Sequence, residues 1–254
     1  MLKIHQDGDF KYVEEGKGPV LLLLHGLFGA LSNWKSVTET FSDRYRVIIP
    51  MMPIYEKPTF EVEPSVEGLA RFVEKFLAFK KIENCFLIGN SLGGHIALKY
   101  LLGHRQQVSG LVLTGSSGLY ESGMGNEFPK YKSYPFIKER VEFTFYSAQT
   151  ATKDLVDEVF GIVNDNFRAL RVLRIARSAQ RENLAKEIGD LKTPTLLVWG
   201  LNDNITPPNV AHAFNRLLSN SKLRFVDGCG HAPMMEQPAQ FNVILQKFLK
   251  ELNY

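Results

Sequence analysis

Residues 85–94 read Cys-Phe-Leu-Ile-Gly-Asn-Ser-Leu-Gly-Gly, an apolar run that leads directly into a serine with glycines on both sides. Cys85–Ile88 shows no alternation of polar and apolar residues, which predicts a strand buried on both faces. Leu92–Leu102 has helical periodicity, so Ser91 would occupy a sharp turn between a strand and a helix. Such a turn requires small neighbours because the strand and the helix pass close to the serine. The stretch therefore predicts a hydroxyl presented at the N-terminus of a helix.

The alternation of apolar strands and amphipathic helices continues along the chain. Helices are predicted at Val66–Phe79 and Phe241–Leu249, and a hairpin at Asp7-Gly8 is predicted to join two short N-terminal strands. Further strands are predicted at Val20–Leu24, Val47–Ile49, Leu111–Leu113, Leu196–Trp199 and Leu223–Val226. Because buried strands joined by helices form parallel sheets, the sequence predicts an α/β fold.

This alternation is interrupted between Leu119 and Gly189, where no strand-like run occurs. Helices are predicted there at Phe136–Tyr146, Thr152–Val163 and Asn166–Arg177. A helical insertion in a strand–helix series is typical of a cap. We therefore expect residues 1–118 and 190–254 to form a core domain and residues 119–189 to form a helical cap subdomain.

Composition excludes several classes of function. The 254 residues include 30 Lys and Arg and 27 Asp and Glu, a net charge of +3, and 44% are hydrophobic. This balance indicates a globular chain without a concentrated basic surface for nucleic acid. The arginines of the third predicted cap helix spread around half its circumference, so we interpret them as solvent-facing: Arg168, Arg171, Arg174, Arg177 and Arg181.

The sequence also predicts the location of the protein, the state of its cysteines and its need for a metal or cofactor. The N-terminus lacks the apolar core of a signal peptide, and the longest apolar run, Val20–Leu24, is too short for a bilayer. We therefore expect a soluble cytoplasmic protein that has no membrane partner. Cys85 and Cys229 are expected to be reduced and buried. No spacing of histidines and cysteines suggests zinc, and no phosphate-binding glycine loop is present, so we expect no metal and no cofactor.

A reactive serine needs a base, and the base needs an orienting partner. His231 lies in the glycine-rich stretch Asp227-Gly228-Cys229-Gly230-His231, just after the predicted strand that ends at Val226. Asp203 is the only acid in the loop that follows Leu196–Trp199. Asp227 is a rival acid, but it ends a strand and precedes His231 by only four residues. The candidate catalytic residues are therefore Ser91, Asp203 and His231.

These residues occur in the order nucleophile, acid and base, as in the α/β-hydrolase superfamily, which the sequence resembles. His25-Gly26-Leu27-Phe28-Gly29, after the strand Val20–Leu24, resembles that family's oxyanion loop. The resemblance implies an α/β-hydrolase fold, with an eight-stranded, mostly parallel sheet and a helical cap inserted after the sixth strand. We interpret His25 as a buried residue that ties the loop down by hydrogen bonds.

The resemblance also implies a mechanism. His231 would accept the proton of Ser91, and Asp203 would hold the imidazole in the required tautomer. The backbone amides of Leu92 and Leu27 would bind the oxyanion, with the amide of Phe28 as an alternative to Leu27. The remaining predicted substrate contacts are Phe28, Asn90 and Met235.

Within the superfamily the chain is most similar to carboxylesterases and to the meta-cleavage product hydrolases, which cut carbon–carbon bonds. The latter usually carry an arginine where this chain has Val159 and a tryptophan where it has Ala232. A valine cannot grip a substrate carboxylate as a guanidinium does. We therefore expect a carboxylesterase that acts on small or medium acyl esters through an acyl-enzyme on Ser91.

Two alternatives to this expectation stay open, and one loop departs from the family pattern. The alternatives are carbon–carbon bond hydrolysis and a small-ligand receptor that uses the same fold. The stretch Met51–Glu56 replaces the Asp-x-x-Gly-x-Gly found in relatives, so we expect this loop to pack differently. The sequence leaves the oligomeric state open.

Overall fold

The computed structural model describes residues 3–56, 60–120 and 132–254. These residues contain one eight-stranded sheet in the order β1-β2-β4-β3-β5-β6-β7-β8. Only the β1–β2 and β2–β4 pairs are antiparallel, which confirms the predicted mostly parallel sheet. The strands are β1 (Ile4–Asp7), β2 (Phe10–Glu15), β3 (Val20–Leu24), β4 (Arg46–Pro50), β5 (Cys85–Asn90), β6 (Val108–Thr114), β7 (Thr195–Gly200) and β8 (Ser221–Val226).

The N-terminal hairpin is displaced by one residue from its prediction. Asp7 pairs with Phe10, so the two-residue loop consists of Gly8 and Asp9 rather than Asp7 and Gly8. Gly8 has a φ of +56°, a left-handed conformation that glycine adopts without the steric cost of a Cβ.

Helices cover both faces of the sheet. Successive residues of β3 illustrate the arrangement, because Leu22 and Leu24 belong to one buried cluster, while Leu21 and Leu23 belong to the other. The first cluster packs under α2 and α3, and the second under α1 and α9. The α-helices of the described residues are α1 (Lys35–Phe41), α2 (Val66–Phe79), α3 (Leu92–Gly103), α4 (Tyr134–Thr144), α5 (Lys153–Asn164), α6 (Asn166–Arg181), α7 (Pro208–Leu217), α8 (Pro233–Glu236) and α9 (Pro238–Glu251).

Three of these helices, α4, α5 and α6, follow β6 and precede β7, and we call them the α4–α6 segment. The predicted helix Phe136–Tyr146 begins two residues earlier, with Pro135 in its first turn. It ends at Thr144 because Phe145 is extended, with φ −109° and ψ 156°. Helix α6 continues four residues beyond its predicted end at Arg177. Residues 121–131 of the predicted cap lie outside the described residues, and the domain boundaries stay predictions.

The interpretation of the α6 arginines as solvent-facing is wrong for one of them. Arg174, Arg177 and Arg181 are exposed and Arg168 is half-buried, but only 8% of Arg171 is accessible. The Arg171 guanidinium donates hydrogen bonds to the backbone carbonyls of Pro53, at 2.6 Å, and Ile54, at 3.3 Å. Helix α6 is therefore anchored to the loop that follows β4.

Two smaller expectations concern the cysteines and membrane association. Cys85 and Cys229 are buried and form no disulfide, as expected. Within the three described ranges, no helix has both the length and the apolar character required to cross a bilayer.

Candidate active site

Ser91 lies on a strained turn between β5 and α3. Its backbone has φ 54° and ψ −122°, a conformation that is costly for a residue with a side chain. The Ser91 amide donates to the carbonyl of Thr114 at 3.0 Å, which ties the turn to the end of β6. This strain persists because the surrounding strands and helix hold the backbone on both sides.

The glycines around Ser91 allow the strand and helix to approach one another. A Cβ on Gly93 would lie 2.1 Å from the carbonyl oxygen of Leu24, at the end of β3. A Cβ on Gly89 would lie 2.5 Å from the carbonyl carbon of Gly93. Neither position could accept an alanine without backbone movement, so both glycines are required for the turn.

His231 and Asp203 meet at the carboxyl ends of β8 and β7. The Nδ1 of His231 lies 2.9 Å and 3.2 Å from the two carboxylate oxygens of Asp203, and both side chains are buried. Asp227, the rival acid, is exposed, and its carboxylate accepts a hydrogen bond from the adjacent amide of Gly228 at 2.9 Å. The structure therefore brings Asp203, and not Asp227, to the imidazole.

The surroundings of Asp203 keep its carboxylate charged. Its oxygens accept hydrogen bonds from the amides of Ile205 and Thr206, at 2.8 and 2.9 Å, and from the Thr206 hydroxyl at 2.9 Å. Burial alone would raise the pKa of Asp203, but the attraction of His231 and these hydrogen bonds lower it below its ordinary value. Sequence reasoning missed Thr206, although its place three residues after Asp203 in a tight loop is typical of such a cap.

Glu236, which the sequence analysis also missed, organises the loop that carries His231. One carboxylate oxygen accepts from the amides of Gly230 and Ala232, at 3.0 and 3.2 Å, on either side of the histidine. The other accepts from the amide of Tyr146 at 2.7 Å, just after α4. The His231 amide itself donates to the carbonyl of Thr144 at 3.0 Å. The histidine loop is thus hydrogen-bonded to the C-terminal end of α4.

Asn90 directly precedes Ser91, and its side-chain amide is hydrogen-bonded to the backbone. Its Nδ2 donates to the carbonyls of Thr114 and His231, at 3.0 and 3.1 Å. This side chain connects the end of β5 to the histidine loop, a positioning role beside the predicted contact with substrate.

The predicted oxyanion loop, His25–Gly29, lies against Ser91. A Cβ on Gly26 would be 3.1 Å from the Cβ of Ser91. The Gly26 carbonyl accepts from the Gly29 amide at 3.0 Å and lies 3.0 Å from Nδ1 of His25. The Met52 amide donates to Nε2 of His25 at 3.3 Å, so Nδ1 carries the imidazole proton. Burial lowers the pKa of His25, and the residue ties the loop down as expected.

The predicted site residues surround a single cavity of about 280 Å³. We call the lining residues of the sheet edge and of the loops after β3 and β8 the polar end of the cavity, and the apolar lining residues of α4 and α5 its apolar end; Arg140 and Thr144 of α4 also line the cavity. Asp203 lies behind His231, and the other predicted residues line the cavity: Leu27, Phe28, Asn90, Ser91, Leu92, His231 and Met235. The apolar end is lined by Ile137, Val141, Leu155, Val159 and Val163. In the part of the chain that the structure describes, no three His, Cys, Asp or Glu side chains group closely enough to hold a metal ion.

Comparison with known proteins places this architecture in a family. A model of the alpha/beta hydrolase family matches residues 21–243. The chain is 27% identical to 2-hydroxy-6-oxo-6-phenylhexa-2,4-dienoate hydrolase of Comamonas testosteroni, over 94% of this chain and 91% of that protein. It is 25% identical to monoacylglycerol lipase ABHD6 of Mus musculus, over 98% of this chain and 82% of that protein.

A solved structure agrees with these relatives. The crystal structure of MGS-MChE2, an alpha/beta hydrolase enzyme from the metagenome of Mar Chica lagoon sediments in Morocco, is 40% identical. It superimposes with a TM-score of 0.81 and covers 99% of this chain and 100% of that one. The chain therefore belongs to the alpha/beta hydrolase family.

Proposed function

We propose that the protein is a serine esterase that cleaves carboxylic esters of small or medium acyl groups. The observation that carries the proposal is the strained turn at Ser91, which shares one cavity with an imidazole held by the buried carboxylate of Asp203. A serine becomes a useful nucleophile only when an adjacent base accepts its proton. His231 is the base that this cavity offers.

In the first half-reaction, Nε2 of His231 accepts the proton of Ser91 while Oγ attacks the ester carbonyl carbon. The amides of Leu92 and Leu27 donate to the oxyanion that develops on the carbonyl oxygen. Leu92 is the first residue of α3, so its amide has no acceptor within the helix. The intermediate collapses, the alcohol leaves with the proton from His231, and the acyl group stays on Ser91.

In the second half-reaction, water replaces the alcohol. His231 accepts a proton from the water as its oxygen attacks the acyl carbon, and the same histidine returns that proton to Ser91 as the acid leaves. Asp203 remains ionised throughout and stabilises the imidazolium through Nδ1. Neither half-reaction uses a metal or an organic cofactor.

The apolar end of the cavity supports the choice of substrate. Apolar side chains of α4 and α5 line the same cavity as Ser91, and such a surface suits an alkyl chain. Residues 119–189 would form a cap whose packing sets the length of chain accepted. The monoacylglycerol lipase named above acts on esters, which also favours this proposal.

Carbon–carbon bond hydrolysis is a second candidate because the Comamonas relative is named as a dienoate hydrolase. Against it, Val159 contributes an apolar surface to the cavity where meta-cleavage product hydrolases usually carry a carboxylate-binding arginine. At this position a dienoate carboxylate would meet valine in place of a guanidinium and would gain no ion pair from it, whereas Arg140 of α4 lines another part of the cavity wall. We therefore favour the ester.

Steady-state hydrolysis of p-nitrophenyl esters from acetate to decanoate tests the proposal. The wild-type chain should turn over many times, and Ser91→Ala should lower kcat by about 10⁴- to 10⁶-fold. Retention of activity by Ser91→Ala would overturn the assignment of the nucleophile. Turnover of a coloured dienoate without turnover of esters would favour carbon–carbon hydrolysis, and a single stoichiometric burst would favour a ligand receptor.

A further inference from the structure

The loop that departs from the family pattern, Met51–Glu56, connects the oxyanion loop to helix α6. We call it the 51–56 loop. Besides the Met52–His25 contact, the Tyr55 hydroxyl donates a hydrogen bond to the carbonyl of Leu27 at 2.6 Å. On its other side, Arg171 of α6 holds the carbonyls of the two residues that precede Tyr55. One continuous set of hydrogen bonds thus runs from α6 to the backbone beside Ser91.

The Tyr55 contact matters because a trans peptide is planar, and its C=O and N–H point in opposite directions. Holding the Gly26 carbonyl therefore fixes the direction of the Leu27 amide, and holding the Leu27 carbonyl fixes that of the Phe28 amide. The Gly26 carbonyl is held within the oxyanion loop itself, by Gly29 and His25. The Leu27 carbonyl is held by Tyr55, which lies outside that loop.

The two amides fixed in this way are the alternatives for the second oxyanion donor, beside the amide of Leu92. Within the described ranges, neither the Leu27 nor the Phe28 amide donates to another backbone carbonyl. Both residues line the cavity together with Ser91. Rotation of the Leu27–Phe28 peptide would carry the Phe28 amide away from its present direction and loosen the backbone beside the Leu27 amide.

We propose that Tyr55 is a positioning residue for the oxyanion hole and that Arg171 holds it in place from α6. This inference rests on the proposed esterase function. Tyr55 is not among the residues that line the cavity, and it acts through the backbone of Leu27. The position of α6 would thereby influence transition-state stabilisation as well as the shape of the cavity.

The side chains of Tyr55 and Arg171 are both chemically suited to hold backbone carbonyls at a constant position. Burial, with a smaller contribution from the charge of Glu158, raises the pKa of Tyr55, so its hydroxyl remains a donor at every working pH. The guanidinium of Arg171 can donate two hydrogen bonds in one plane to successive carbonyls. A lysine in its place would lack this planar fork, because all its donors share one nitrogen.

Tyr55→Phe removes the hydroxyl alone and is the direct test in the purified full chain. Tyr254→Phe is the matched control, because its hydroxyl also donates to a backbone carbonyl, that of Val20 at 3.0 Å. Val20 begins β3, at the end of that strand away from the oxyanion loop. We expect Tyr55→Phe to lower kcat on the preferred p-nitrophenyl ester by about 10- to 100-fold, with KM within about twofold.

A transition-state readout separates positioning from stability. Tyr55→Phe should weaken binding of an alkyl trifluoromethyl ketone, whose tetrahedral adduct carries an oxyanion, in proportion to the loss of kcat. The pH dependence of kcat/KM should keep its shape, because the base is untouched. Tyr254→Phe should change neither quantity. Equal kcat in both variants, with similar losses of Tm, would assign Tyr55 a structural role only and overturn the inference.

Arg171 gives a second test with a conservative rescue. Arg171→Met should lower kcat, Arg171→Lys should restore part of it, and Arg171→Met combined with Tyr55→Phe should lose less than the product of the two single effects. Full additivity would overturn the connection through the 51–56 loop.

The rate at which a fluorophosphonate labels Ser91 provides a readout that is independent of the ester chosen. Slower labelling of Tyr55→Phe than of wild type supports the inference, even if the p-nitrophenyl esters are poor substrates. If Tyr55→Phe changes neither the labelling rate nor turnover, the inference is overturned while the proposed function stands. A wild-type chain that neither turns over esters nor becomes labelled overturns the proposed function and the inference with it.

Discussion

The two ends of the cavity are built in different ways. At one end, Ser91, His231 and the predicted oxyanion loop each follow the carboxyl end of a parallel strand, so the sheet positions their backbones. At the other end, the lining residues lie on helices α4 and α5, and the C-terminal end of α4 is linked to the histidine loop through the Thr144 carbonyl and the Tyr146 amide. From this comparison we expect the chemistry to depend on the sheet edge and substrate selection to depend on the α4–α6 segment.

The largest effect should come from the sheet edge. Asp203→Asn should preserve the fold but hold His231 in the wrong tautomer or orientation, because the new side-chain amide can donate a hydrogen bond where the carboxylate only accepts one. We expect kcat/KM to fall by about 10⁴-fold. Kinetics on the preferred ester at neutral pH would measure this loss, and a loss below about tenfold would contradict the role assigned to Asp203.

The same variant also tests how the charge of Asp203 contributes to the free energy of unfolding. The pKa of Asp203 is lower in the folded chain than its unfolded value of about 3.9, so its interactions stabilise the fold above that pH. This stabilisation is lost as pH falls through the folded pKa. The difference in free energy of unfolding between wild type and Asp203→Asn should therefore shrink below about pH 4. A difference that stays constant from pH 7 to pH 3 would contradict the shift.

An intermediate effect should come from the junction between the two ends. Glu236→Gln keeps one oxygen for the amides beside His231, but its NH₂ cannot accept the hydrogen bond from the Tyr146 amide. We expect kcat to fall by about 10- to 100-fold through displacement of the histidine loop. Glu251→Gln, at an exposed ion pair with Lys222, is the control and should leave kcat unchanged. Equal kinetics in both variants would show that the α4 end and the base are independent.

The smallest effect should come from the apolar end. Val159→Ala removes two carbons from the cavity wall, so longer acyl chains should gain relative to acetate by about tenfold in kcat/KM. Val156→Ala is the matched control, since Val156 is buried on the same helix and does not line the cavity. It should lower Tm without changing chain-length preference. If both variants show the same chain-length preference, α5 has no part in substrate selection.

The sheet edge could be predicted from sequence because its constraints are local. The glycines around Ser91 and the strand before them define one turn, and the parallel sheet then brings the loops after β7 and β8 to the same edge. Asp203 was identified as the only acid in its loop, and the structure brings it to His231. Helix α2 was predicted with the bounds that the structure gives, because its apolar face follows a strict helical period.

The contacts of the α4–α6 segment could not be predicted, because they join residues far apart in sequence. Arg171 fits a solvent-facing stripe by periodicity, and only the packing of α6 against the 51–56 loop buries it. Tyr55 lies in a loop whose sequence departs from the family pattern, so its hydrogen bond to Leu27 had no sequence signal. Glu236 likewise acts through backbone amides, which leave no pattern of side chains to recognise.

The central claim is that Ser91 is the nucleophile of this cavity, and covalent trapping tests it most directly. Wild type and Ser91→Ala would be treated with an alkyl fluorophosphonate, and the adduct would be located by peptide mass spectrometry. The account predicts one adduct on the peptide that contains Ser91 and none in Ser91→Ala. An adduct on Ser117, which lines the same cavity, or undiminished labelling of Ser91→Ala would contradict it.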